Sequence, residues 1–214
     1  MTNPAEPAVA RRGGPIFGVI LAAGSSSRLG RAKQLLPLGD RPVLAHTVAN
    51  ALATSLDGVI IVLGHAADAI RAQIDFGPAS IVINGRYAEG QSTSLHAGVA
   101  ALPPDAAAAL FILGDQPLIG PAVHEALIAA YRRTAAPIVQ PSYAGQRGNP
   151  VLLARALFPE LLWVTGDQGA RDVIRAHAAE VLVVPIPGTT PTDDLDTEDD
   201  YQRLLARHAE LHTR

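Results

Sequence analysis

The sequence predicts a single-domain α/β fold with a mostly parallel sheet, and three observations support that prediction. Strand-like and helix-like patterns alternate along the chain, the arrangement that gives a parallel sheet covered by helices. The first apolar run, residues 16–23, is continuous rather than alternating, as in a strand buried on both faces. It leads straight into a Gly/Ser-rich stretch holding Gly24, Ser25, Arg28 and Gly30. A turn of that composition at a strand's carboxyl end is where such sheets present backbone N–H groups to phosphate.

The later elements follow in order. Pro42 can open a helix at its first turn, with Leu44, Val48, Ala51 and Leu52 on one face. Residues 59–63 read as a second buried strand, 66–74 as a short helix, and 80–83 as a third strand ending at Asn84. Residues 94–102 are helical and align Leu95, Val99 and Leu102. A fourth strand, 109–113, ends in Gly114-Asp115-Gln116-Pro117, and Pro121 opens a helix that buries Val123, Leu127 and Ala130. Ile138 and Val139 begin a fifth strand, and 147–150 is a turn before a short strand at 151–153. Residues 166–171 lead into a helix reaching 178, followed by strands at 181–184 and 194–196. Thr197 and Asp200 form a capping-box pattern at the head of the last helix. No repeat or boundary divides the chain. Residues 15–214 therefore read as one domain behind a disordered leader, 1–14, which has two prolines and no apolar period.

Composition narrows the function classes. A chain of 214 residues, 48% of them hydrophobic, can bury a full core. A net charge of −3 gives no electrostatic reason to expect nucleic acid or a membrane as partner. With no cysteine, disulfides, thiolate metal sites and cysteine catalysis are excluded. The run at 16–23 is too short to span a bilayer and is not a secretory signal, so a cytoplasmic location is expected. The seven histidines are scattered without metal-ligand spacing and read as surface or helix-face residues. There is no G-x-S-x-G elbow for serine hydrolysis.

Lys33 is the only lysine in the chain, and it closes the Gly/Ser stretch. Arg28 offers a planar fork for phosphate oxygens and Lys33 a point charge. The dinucleotide fingerprint G-x-G-x-x-G is missing, which makes an NAD-dependent oxidoreductase a poor fit. Residues 85–92 have Walker spacing, but Gln91 stands in place of the essential lysine. Asp115 ends the fourth strand, where a single carboxylate suits Mg²⁺. Asp194 and Asp196 alternate as on a strand and share a face, which makes Asp196 the second candidate metal carboxylate. Asp193, Glu198, Asp199 and Asp200 read as acids complementing the last helix's dipole.

The stretch A-A-G-x-x-x-R-x-G-x-x-K, ending at Lys33, resembles the opening signature of the nucleotidyltransferases that join a nucleoside triphosphate to a phosphorylated acceptor. Within them it is most similar to the MobA-like branch and its molybdenum cofactor cytidylyltransferases. The resemblance implies a Rossmann-like three-layer nucleotidyltransferase fold, Mg²⁺ as cofactor, and transfer of CMP from CTP to a molybdopterin-type cofactor with release of pyrophosphate. It implies Arg28, Lys33 and Asp115 as catalytic residues, and Asp115 and Asp196 on the metal. It places Leu21, Ala22, Ala23, Gly24, Ser25, Arg28 and Lys33 at the nucleotide, with Asn84, Gly90 and Ser94 contacting base and ribose. Arg147, Gly148, Asn149, Gly166, Asp167, Gly169 and Arg171 fall toward the acceptor, so the break around 141–150 would separate nucleotide-handling from acceptor-handling elements. Family members often have histidine where Asn149 stands. The guanylyl branch typically reads Leu-Ala-Gly-Gly where this chain reads Leu21-Ala22-Ala23-Gly24, and the methyl of Ala23 narrows the base pocket toward a pyrimidine. GTP as donor, a sugar or polyol phosphate as acceptor, and a non-catalytic carrier delivering the cofactor to a molybdoenzyme are the alternative readings.

Overall fold

A computed structural model describes residues 13–26, 28–187 and 194–212. Residues 1–12 of the expected leader and Asp193 lie outside the described residues. In chain order the elements begin with β1 (Ile16–Ala22), the short strands β2 (Pro37–Leu38) and β3 (Arg41–Pro42), α1 (Val43–Leu52) and β4 (Gly58–Leu63). Then come α2 (Ala67–Gln73), β5 (Ser80–Ile83), α3 (Gln91–Ala100), β6 (Ala108–Leu113), α4 (Pro121–Thr134) and β7 (Ile138–Tyr143). The chain continues through β8 (Gln146–Arg147), β9 (Val151–Ala154), α5 (Phe158–Leu161), α6 (Arg171–Ala176), β10 (Val181–Ile186) and α7 (Glu198–His212).

The main sheet runs β10-β7-β9-β6-β1-β4-β5, with β8 paired to β7. The pairs β1–β4, β1–β6, β4–β5 and β7–β10 are parallel, as the alternation predicts. β9 is inserted antiparallel between β6 and β7, and the two-residue β8 also pairs antiparallel with β7. The reason is length: residues 144–150 are too few for a crossover, which takes a dozen or more, so the strand after them must turn back.

Alternation along each strand feeds two cores. Ile16, Ile20, Leu110 and Ile112 face Leu44, Val48 and Ala51 of α1 and Leu127 and Ile128 of α4. Val19, Ala109 and Phe111 face Leu95 and Val99 of α3, with Phe158 and Leu161 of α5 and Val173 of α6. Helix α3 sits close on the sheet because of Gly98, where a β carbon would lie 2.5 Å from Val19 Cγ1. The result is three layers. Helix α7 is anchored apart from them, with Tyr201 and Leu204 packed on Leu36, Leu38 and Val43 and the Tyr201 hydroxyl donating to the Pro37 carbonyl at 2.6 Å.

Several expectations are corrected. Helix α3 starts at Gln91, three residues before Ser94. Residues 194–196 form no strand; Leu195 is buried with the α7 anchor, while Asp194 and Asp196 line the cleft. His124 is not a surface residue: it is fully buried on α4. Burial pushes its pKa down to about 4, against the weaker opposing pulls of the Asn50 backbone and Glu125. The hairpin β2–β3 and helix α5 carry no periodic signal long enough to read. Trp163, the only tryptophan, is 85% exposed just after α5. Among the described residues no helix is long and apolar enough to cross a membrane.

Candidate active site

Strands β4 and β5 lie on one side of β1 and β6 on the other, so the winding reverses between β1 and β6. Carboxyl ends of strands diverge at such a switch point and leave a crevice. A cleft of about 610 Å³ opens there, lined on one wall by residues 21–25 with Arg28 and Lys33, and at its base by Leu113, Gly114 and Asp115.

The loop after β1 is shaped by its own backbone. Ser26 takes φ +53° and its carbonyl accepts from the N–H groups of Leu29 and Gly30 at 3.0 and 3.2 Å. The Ser26 hydroxyl accepts from the Lys33 N–H at 3.1 Å, closing the loop onto the short 3₁₀ turn Lys33–Leu35. A β carbon at Gly24 would meet nothing within 4 Å, so that backbone is open to a ligand. Beneath it Gln34, 2% exposed, donates through Nε2 to the carbonyls of Ala22 at 2.9 Å and Gly24 at 3.1 Å. Sequence reasoning missed Gln34, because an amide beside a charged residue reads as surface.

Four charged groups singled out in the sequence come together here. Lys33 Nζ lies 2.6 Å from Asp115 Oδ2 and 3.2 Å from Asp196 Oδ1, and Arg28 Nη2 lies 2.6 Å from Asp196 Oδ2. Burial alone would lower the lysine pKa, but the two carboxylates outweigh it and hold Lys33 above its ordinary value. Asp194 also lines the cleft and accepts from Gln116 Nε2 at 3.2 Å. Burial, then the charges of Asp115 and Asp196, raise its pKa. Asp196 is held from behind, its N–H donating to Asp200 Oδ2 at 3.2 Å. The same carboxylate accepts from the Thr197 N–H at 2.7 Å while the Thr197 hydroxyl accepts from the Asp200 N–H, the reciprocal box read from the sequence.

This donor set is oxygen only, as a hard divalent cation requires. Among the described residues no three or more His, Asp or Glu side chains are arranged as a ready cage. Mg²⁺ is ordinarily held by one or two carboxylates with waters and phosphate oxygens completing the shell, so the residues present fit a cation that arrives with a phosphate ligand.

The opposite wall is built by Tyr87, Glu89, Gly90, Gln91, Ser94 and Asp167. Asn84 does not line the cleft. Its amide donates to Thr93 Oγ1 and Ser94 Oγ at 2.9 and 3.0 Å and accepts from the Arg86 N–H, so it braces the wall from within. Gly90 has φ +119°, and a β carbon there would lie 2.8 Å from the Gly166 carbonyl. That carbonyl accepts from the Ser92 N–H at 3.0 Å, and Asp167 Oδ1 accepts from the Gln91 N–H at 3.1 Å. Residues 166–167 therefore cap α3, and Asp167 also lines that side of the cleft. Gly169 packs on Gln91. The remaining acceptor candidates stand apart from the lining. Arg147 lies in β8, Gly148 packs on the Tyr143 ring, and the Asn149 carbonyl accepts from the Tyr143 hydroxyl at 2.6 Å. Arg171 is exposed at the start of α6. Because β7 runs parallel to β6, the 144–150 turn shares the sheet edge with the cleft without entering it.

A phosphate-facing loop, paired cations and carboxylates at a parallel-sheet switch point define a nucleotide-handling α/β enzyme. The chain belongs to the MobA-like NTP transferase family, whose domain it matches over residues 18–181, and is a nucleotidyltransferase. It is 31% identical over 204 residues to the nicotine blue oxidoreductase of Paenarthrobacter nicotinovorans, covering 89% of this chain and 96% of that one. Among solved structures it is similar to a homologue, from Mycobacterium sp. strain JC1, of Mycobacterium tuberculosis Rv0371c. That match is 36% identical, has a TM-score of 0.83, and covers 92% of this chain and 98% of the other. It is also similar to Rv0371c of M. tuberculosis H37Rv in complex with manganese, at 34% identity and TM-score 0.78, covering 90% and 98%.

Proposed function

We propose that the chain transfers CMP from CTP to a phosphorylated acceptor, a molybdopterin-type cofactor, with Mg²⁺ or a similar divalent cation. The single observation behind this reading is the convergence of Lys33, Arg28, Asp115 and Asp196 beside the open backbone at Gly24. The manganese bound by Rv0371c agrees with a divalent cation.

In this reading a terminal phosphate oxygen of the acceptor attacks the α-phosphorus of CTP in line. A new P–O bond forms as the bond to the bridging oxygen of pyrophosphate breaks. The nucleophile is already an anion, so no side chain needs to take a proton. What the chain supplies is position and charge. The loop N–H groups, Arg28 and Lys33 orient the triphosphate and neutralise it, and Gln34 keeps the Ala22 and Gly24 carbonyls turned from the anion. Asp115 and Asp196 would hold the cation, which stabilises charge on the reacting phosphate oxygens.

The preference for cytosine rests on Ala23. It lines the cleft beside the loop, and its methyl stands where the guanylyl branch has only a hydrogen, which supports the smaller pyrimidine base. The acceptor, the molybdoenzyme that would receive the product and a cytoplasmic site belong to the same proposal, as does one domain over 15–214. The test is pyrophosphate release with Mg²⁺ and molybdopterin-type cofactor, comparing CTP, GTP and ATP. CTP preference is expected. GTP preference overturns the role of Ala23, and nucleotide binding without release from any of the three replaces catalysis with the carrier role.

A further inference from the structure

The carboxylates assigned above to a divalent cation already have cationic partners. Lys33 Nζ contacts one oxygen of Asp115 and one of Asp196, and Arg28 contacts the second oxygen of Asp196. The Lys33–Asp115 pair is shielded, with side chains only 16% and 12% exposed, whereas Arg28 is 67% exposed. A metal ion must bind carboxylate oxygens directly, at about 2.0–2.6 Å for Mg²⁺ or Ca²⁺. The ammonium and the guanidinium hold three of the four carboxylate oxygens, and in the shielded Lys33–Asp115 pair the charge is poorly screened. No ready cage of further side chains stands beside them among the described residues.

We propose that Lys33 competes with the divalent cation for Asp115 and Asp196. The cation then binds tightly only with a phosphate-bearing ligand that draws Lys33 onto itself. The site thereby sets an order: metal and nucleotide enter as one complex, and each raises the affinity of the other, as reciprocal linkage requires. This inference rests on the metal assignment of the proposed function.

The test measures Mn²⁺ binding without nucleotide, by the paramagnetic resonance signal of the free ion, in the wild type, Lys33→Met and Arg28→Gln. Lys33→Met is expected to bind Mn²⁺ at least about tenfold more tightly than the wild type, equivalent to roughly 1.4 kcal/mol. Arg28→Gln should gain far less, since the Arg28 side chain is itself largely exposed and its charge is screened by solvent. Equal affinity in wild type and Lys33→Met overturns the competition while leaving the metal assignment standing. An equal gain in Arg28→Gln also overturns it, because a loss of charge alone would then suffice. No Mn²⁺ binding in any of the three also overturns the competition, because freeing the carboxylates from Lys33 would then gain nothing, and binding with nucleotide present separates this from failure of the metal assignment.

A second measurement needs no variant. With a single lysine in the chain, protein carrying isotope-labelled lysine gives one side-chain ammonium resonance. Mg²⁺ alone should leave it in place, and Mg²⁺ with inorganic tripolyphosphate should shift it. A full shift with Mg²⁺ alone, or none under either condition, overturns the proposal.

Discussion

Lys33 and Gln34 are neighbours in sequence with different tasks, because the 3₁₀ turn they begin points one into the cleft and tucks the other beneath it. The first was legible: a lone ammonium closing a Gly/Ser loop at a strand's carboxyl end has phosphate as its natural counterpart. The second was not, since its value lies in two carbonyls, Ala22 and Gly24, whose direction the sequence does not specify. Replacing Lys33 with Ala should reduce turnover by orders of magnitude while leaving acceptor binding intact, which single-turnover kinetics beside a binding titration would resolve. Gln34→Leu keeps the volume but strands both carbonyls. It should cost about 1–3 kcal/mol of stability and raise KM for the nucleotide more than it lowers kcat. Asp115 and Asp196 were readable for the same reason as Lys33. The place of Asp194 in the cleft goes with the burial of Leu195 beside it rather than with a strand.

At the scale of elements, the end of a helix was harder to read than its body. The apolar alignment of Leu95, Val99 and Leu102 gave α3, but its first turn depends on Asp167, 76 residues away. A cap supplied from that distance leaves no local pattern. Asp167→Ala should therefore lower stability by about 1 kcal/mol, seen as an earlier thermal midpoint, and should weaken nucleotide binding because the same loop walls the cleft. The cap of α7 was legible, since Thr197 and Asp200 are three residues apart. Thr197→Ala removes half of that box at a similar cost, and the loss should appear in turnover too, because Asp200 also holds the Asp196 backbone. Gly98→Val places bulk against Val19 where a single β carbon already lies at 2.5 Å. Overpacking of this kind costs about 1–3 kcal/mol or more.

For the whole molecule, alternation of pattern was enough to predict a mostly parallel sheet, and the reversal at β1 accounts for the meeting of the predicted loop with Asp115. The strand order and the antiparallel β9 were not legible, because pairing is set by connection length and by contacts far apart in the chain. His124 was misread on the same ground: imidazole counts as polar, and only the packing of α4 on α1 decides that position 124 is inside. Its neutral form is built into the fold. An unfolded histidine takes up a proton near pH 6.5, well before the folded one at about 4, so the unfolded chain binds more protons between those values. Stability is therefore complete above about pH 6.5 and falls as the pH drops toward 4, by roughly 3 kcal/mol at 1.36 kcal/mol per unit. Urea midpoints measured across that window should show the slope in the wild type and lose most of it in His124→Leu.

Trp163 has a practical meaning for anyone who studies this protein in a cuvette. As the single indole, already in water in the native state, it should emit close to where free tryptophan does, and denaturation should barely move its spectrum. Circular dichroism will report the loss of the fold. The indole will report only what comes to rest against it.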